Sequence, residues 1–246
     1  HYLNIGIINF VLIDNNAKDK SKEILEKYKK KANISFWEIN DEYNCNKMCG
    51  WKTQIFEFYG IGKTYITVDS DELLIYKDYK KILLPEFIKK EKASSIKTLM
   101  LDVYTNKNLY EGKIADFKYV DNNTYKMTST VYGNRFFGGP RTRLFGIMPS
   151  LQKMSIMKYT GKEVFINDHF YYPWKINDKA KLCAYLLHYK FLPGDEKKYI
   201  IYAEDGRHWN NSREYKIYIN STKSNDKFSF YDKKNSILVD DLEFKF

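Results

Sequence analysis

A chain of 246 residues can bury a substantial core unaided, and 43% apolar with 17% aromatic residues excludes a disordered chain, although 29% of residues are charged. The net charge of +10 invites a nucleic-acid partner. The lysines are nevertheless scattered among Asn, Ile, Tyr and Phe without any nucleic-acid-binding module, which favours a solvated surface, an anionic membrane face or an acidic acceptor over nucleic acid.

Residues 5–13 are a nearly continuous apolar run ending in Asp14-Asn15-Asn16, which predicts a strand buried on both faces that feeds a polar loop. Because this strand lies so close to His1, a further strand of the same sheet is expected upstream of it. Ile24, Leu25 and Tyr28 at helical spacing predict a helix over 18–31 with lysines on its outer face. A strand over 34–39, a helix over 48–59 and a strand over 64–68 ending at Asp69 follow. This alternation implies a parallel sheet with right-handed crossovers, extended by a helix over 80–92 and a strand over 96–104. From 107 to 162, polar stretches, Gly138-Gly139-Pro140 and short β-rich runs predict hairpins and long loops. A strand or buried segment over 182–191, a helix over 195–209 and a polar, aromatic tail complete one α/β domain spanning 1–246, with no internal repeat.

No apolar run approaches the length of a membrane span and no signal peptide opens the chain. Cys45, Cys49 and Cys183 stand at no structural-zinc spacing and read as free thiols. A cytoplasmic protein is expected, with peripheral docking on the inner membrane face as a variant of that reading.

Asp69-Ser70-Asp71 places two carboxylates two residues apart after an apolar strand, where extended backbone points both the same way. That edge of a parallel sheet is where ligands bind, and such a pair can hold a divalent cation bridging a diphosphate. A solvated turn is the bland alternative. All five arginines lie between 135 and 213. Arg141 and Arg143 follow Gly138-Gly139 and either clamp a phosphate or acidic sugar or decorate an exposed hairpin. His188, within Leu186-Leu187-His188-Tyr189-Lys190, is either a hydrogen-bonded core histidine or a ligand, and Lys190 shares its strand face. Asp168 and His169 precede Phe170-Tyr171-Tyr172-Pro173-Trp174, an aromatic cluster suited to stacking on sugars or to packing a core.

Several of these motifs, in this order, resemble the glycosyltransferase family 2-like group with a GT-A fold. The similarity runs from His1 through Asp14, Asn15, Asp19 and Ser21, then through 68–74, 138–146, Asp168-His169 and 186–191. It implies a GT-A-like, Rossmann-type, mostly parallel sheet flanked by helices, with an elaborated β-rich and helical C-terminal half. Residues 1–105 would bind the nucleotide sugar and 106–246 the acceptor. The resemblance further implies that Asp14, with Asn15, meets the nucleotide base. Asp69 and Asp71 would hold Mn²⁺ or Mg²⁺ and the diphosphate, and His188 would close the metal site. Arg141, Arg143 and Lys190 are the expected phosphate contacts. Asp168 is the expected general base, with Glu204 and Asp205 in reserve, while Glu72, His169 and Trp174 support the site or the acceptor. Asn16-Ala17 departs from the family's Ser or Thr after the Asp-Asn pair. The implied reaction is inverting transfer of a sugar from a nucleoside-diphosphate donor to a hydroxyl of a glycan or lipid-linked acceptor, in assembly of a bacterial surface polysaccharide. The rivals are a nucleotidyltransferase, which would show a Gly-rich phosphate loop, and a non-catalytic glycan-binding module on the same fold.

Overall fold

The computed structural model describes residues 1–122, 125–130, 133–222, 228–244 and 246. The first part of the chain forms β1 (Asn9–Asn15), α1 (Ser21–Tyr28), β2 (Asn33–Ile39), α2 (Cys45–Tyr59), β3 (Thr64–Ile66), β4 (Glu72–Tyr76), α3 (Leu84–Glu91) and β5 (Ser95–Asp102). Beyond it come β6 (Tyr119–Asp121), β7 (Lys126–Thr130), β8 (Gly133–Phe137), α4 (Gly139–Phe145), β9 (Gln152–Lys158), β10 (Val164–Asn167) and β11 (Phe170–Tyr172). The chain then forms α5 (Lys175–Lys179), β12 (Lys181–His188), α6 (Asp195–Asp205), α7 (Trp209–Thr222) and β13 (Ser236–Leu238). Among the described residues no helix is long and apolar enough to cross a membrane.

The fold is α/β, as the alternation predicts, but its main sheet is mixed. Five strands run in the order β3-β9-β5-β12-β4, and only β5 and β12 are parallel neighbours. This corrects the expectation of a mostly parallel sheet. Two strands are the cause: β4, antiparallel to β12 at one edge, and β9, which lies antiparallel between β3 and β5, inside a stretch that the sequence presents as hairpins and loops. Gln152, Lys153 and Ser155 interrupt its apolar pattern, yet all of its residues except Lys158 are buried. β1 and β2 pair with each other in parallel in a sheet of their own.

Side-chain alternation along β4 and β12 sends Leu74, Ala184 and Leu186 to one face, against Leu84 and Phe87 of α3. Ile75, Tyr185 and Leu187 go to the other, against Phe117, Val120 and Leu151. β1 is not buried on both faces as expected. Only Asp14 is fully buried there, while Val11 and Ile13 pack with Trp37 against a cluster containing Phe56, Met154 and Tyr171. The residues before it form turns instead of extending the strand. Tyr2 there donates its hydroxyl to the Glu72 carbonyl at 2.8 Å and accepts from the Leu74 N–H at 3.1 Å, closing part of the free edge of β4.

Because β9 and β12 flank β5, the two expected halves of the chain interleave in one sheet. The helix expected over 195–209 stops at Gly206, and a left-handed turn at Asn210, Asn211 and Ser212 opens α7.

Leu186 is completely buried on this sheet's central pair of strands. Leu186→Ala is expected to cost about 2–5 kcal/mol, read as a lower urea midpoint with an unchanged denaturant slope.

Candidate functional site

The strands β3 and β4 are the two outer strands of the main sheet, yet only residues 67–71 connect them. This connection must cross the end of the sheet, over the start of β9 and the ends of β5 and β12. It carries Asp69 and Asp71. A turn closes within it: the Glu72 N–H donates to the Asp69 carbonyl at 3.1 Å, and the Glu72 carboxylate accepts the Asp69 N–H at 2.7 Å. The turn corrects the expectation that the two aspartates point together, since that needed extended backbone. Their carboxylates instead enter two different clusters.

Asp69 faces lysines. Its carboxylate accepts from Lys153 Nζ at 3.0 Å and lies 3.4 Å from Lys52 Nζ. Lys52 also binds Asp168, and Lys153 Nζ stands 3.8 Å from the same carboxylate. Lys153 is fully buried and donates to both Glu72 oxygens, at 2.9 and 2.7 Å. Desolvation opposes the charges on Asp69 and Lys153. Their mutual attraction outweighs it, holding Asp69 far below the usual carboxylate range and Lys153 well above the usual amine range. Asp69 and Asp168, far apart in sequence, are thus joined through two shared cations.

Lys52 reaches this cluster because α2 turns the face bearing Cys49, Ile55 and Phe56 into the core. Asn44 caps that helix, its side chain accepting from the Lys47 N–H at 2.9 Å. His169 sits alongside, with ring Nδ1 2.8 Å from the Gln152 carbonyl, so Nδ1 carries the hydrogen. Burial, and then the Lys153 charge, push its pKa down to about 4.

Asp71 faces His188, the last residue of β12, with its carboxylate 3.7 Å from Nε2. On the other side of the ring, His188 Nδ1 lies 2.8 Å from Asp102 at the end of β5. Arg141 Nε binds the second Asp102 oxygen at 2.6 Å, and Arg141 Nη1 binds Glu214 of α7 at 2.8 Å. Lys190 Nζ lies 3.5 Å from the same Glu214 oxygen. Desolvation works against the Glu214 charge, but Lys190 and Arg141 hold it far below the usual carboxylate range.

Other expected contacts lie elsewhere. Arg141 and Arg143 belong to α4, not to a hairpin strand. Pro140, in the first turn, and the positive φ of Gly139 suit a helix start. Arg141 is spent on Asp102 and Glu214. Arg143 binds Asp121 at 2.8 and 3.1 Å and the Phe230 carbonyl at 2.7 Å. Neither matches the expected phosphate clamp. Lys190 lies beyond the end of β12, so it shares no strand face with His188. Asp14 accepts from the Ala17 N–H at 3.0 Å, and Asn15 from the Asp41 N–H at 3.4 Å, both at the end of β1 in the separate small sheet. Trp174 packs beneath the Arg135 guanidinium at 5.0 Å, and Glu204 is exposed near the end of α6.

An aromatic wall borders the aspartates. His208 lies 4.1 Å from Tyr202, 4.9 Å from Tyr215 and 5.6 Å from Tyr43, measured between ring centres. Burial raises the Tyr43 pKa, and the charges of Cys45, Asp168 and Asp69 add to that rise. Sequence reasoning missed Lys52, Lys153, Asp102 and Glu214. A signal existed for the first: a lysine on the apolar face of a helix.

Among the described residues no three His, Cys, Asp or Glu side chains converge as a ready metal cage. Asp71 and His188 still offer a usable pair, with Nε2 of the ring facing Asp71 and Nδ1 facing Asp102. Divalent cations at diphosphates commonly take one or two protein ligands, with phosphate oxygens and water completing the shell.

Two outcomes follow from the Asp69 cluster. In Lys153→Met, the buried Glu72 loses its cation; a loss of about 3–5 kcal/mol is expected by urea denaturation, partly recovered in the double variant with Glu72→Gln. His169 stays neutral in the folded state down to pH about 4, whereas in the unfolded chain it takes up a proton near 6.5. Its contribution is therefore intact above pH 6.5 and is lost as pH falls from 6.5 toward 4. Between pH 7.5 and 5, His169→Gln should remove about 2 kcal/mol of the wild-type decline in stability.

Comparison with protein-family models, with curated proteins and with solved structures gives no match for this chain.

Proposed function

We propose that this protein is a metal-dependent glycosyltransferase that moves a sugar from a nucleoside-diphosphate donor to a hydroxyl of a glycan or lipid-linked acceptor. The observation that carries this reading is the meeting of Asp69, Asp71, Asp168 and His188, from three separate stretches of sequence, around one end of the main sheet. A GT-A-like architecture belongs to the same reading. Its support is the β-α-β-α-β order through β3 and the acidic connection that follows it.

Asp71 and His188 would hold Mn²⁺ or Mg²⁺, which when bound neutralises charge on the leaving diphosphate. Lys52, only slightly exposed, bridges Asp69 and Asp168 and so holds the base in place. Asp168 accepts the acceptor's hydroxyl proton as that oxygen attacks the anomeric carbon from the side opposite the diphosphate. The new C–O bond forms as the bond to the diphosphate breaks, and inversion results. Tyr43, Tyr202, His208 and Tyr215 supply ring faces on which a sugar can stack.

The pairing of Asp69 and Asp168 with Lys52 and Lys153 favours a second reading, a binding module without turnover. Donor turnover separates the two. With Mn²⁺, nucleoside diphosphates at about 100 times their Kd should stabilise the protein by about 2.7 kcal/mol, and Asp71→Ala should abolish the metal-dependent part. Asp168→Asn should lower kcat by about 10²–10⁴-fold while nucleotide stabilisation persists. Nucleotide binding without any transfer or donor hydrolysis by the wild type would leave the binding module standing.

A further inference from the structure

His188 Nδ1 faces a carboxylate, which can only accept, so the ring hydrogen belongs on that side. In the neutral ring Nε2 then carries a lone pair, yet the group opposite it is another acceptor, Asp71, at 3.7 Å. That gap is too long for a hydrogen bond. Two acceptors facing each other repel unless something positive lies between them, and a divalent cation held by Asp71 and His188 would supply that charge. The tautomer is not left to chance. Asp102 is almost completely buried, and both of its oxygens are used, one by His188 and one by Arg141. Arg141 in turn is buried and anchored through Glu214 to α7.

We propose that Asp102, clamped by Arg141, is a positioning residue that locks His188 with its Nε2 lone pair toward Asp71, so that the histidine is set to ligate before any cation arrives. The inference rests on the metal-dependent reading given above. It adds a residue on β5 that no motif marks, and it gives the buried Arg141 a part at the site through Asp102 instead of through phosphate.

Two measurements on metal-free protein at pH 7.5 test it. Long-range ¹H–¹⁵N correlation spectra of the histidines, with His188→Gln used for assignment, should show His188 protonated at Nδ1 and bare at Nε2. In Asp102→Asn the amide can either donate or accept, so a mixture of tautomers is expected. Titration with Mn²⁺ alone, followed by electron paramagnetic resonance, should give a Kd raised about 10–100-fold in Asp102→Asn. Should that variant fail to fold, Arg141→Lys, which keeps the charge but not the fork, should weaken Mn²⁺ binding in the same direction. A wild-type His188 carrying hydrogen on Nε2 would overturn the proposal without any variant. Wild-type Mn²⁺ affinity in Asp102→Asn would overturn it while leaving metal-dependent transfer intact. A correct tautomer with no Mn²⁺ binding by the wild type would overturn both.

Discussion

Lys153 is the group around which the candidate site is arranged. A fully buried ammonium is tolerated only where carboxylates compensate it closely, and here Glu72, Asp69 and Asp168 surround it. This requirement ties β9 to the acidic turn and to the segment before β11. Glu72 answers twice, since it also accepts the Asp69 N–H and so fixes the turn that separates the two motif aspartates. The lysine is therefore less a local ornament than the reason the connection from β3 to β4 holds one shape.

Sheet order supplies the second constraint. A connection this short between the two outer strands has one route, across the strand ends, and side chains along that route meet whatever those ends present. Over β9 it meets Lys153, and over β12 it meets His188, whose far side is held by Asp102 of β5. The result is two neighbouring centres of different character. One is crowded with charge and held by lysines. The other is a histidine held between two carboxylates, Asp102 on one side of the ring and Asp71 on the other. On the proposed reading, proton transfer belongs to the first and the donor's diphosphate to the second.

Both centres are braced from the C-terminal part of the chain. Glu214 of α7 anchors Arg141, and Tyr202 and Tyr215 close on His208 beside Tyr43. The clusters on the two faces of the sheet draw on α3 and on the segments around Phe117 and Leu151, while α6 and α7 bring Tyr199, Tyr218 and Ile219 into a further buried cluster with Tyr104, Phe145, Phe191 and Phe230.

The sequence by itself determined the α/β class and the positions of β2, α2, β5 and β12 to within a few residues, because periodicity and apolar runs are local properties. It also marked Asp168 and His188 as residues of chemical interest. It did not determine strand order: pairing is a contact between distant segments, and the polar side chains of β9 hid one of the two strands that make the sheet mixed. The divergence of Asp69 from Asp71 depends on one turn hydrogen bond and one glutamate. Arg141, read along the chain as a phosphate clamp, became a buried partner of Asp102 because α4 rotated it inward. Local pattern sets which side chains are available, and only the tertiary fold decides which of them neutralise one another and which remain to meet a ligand.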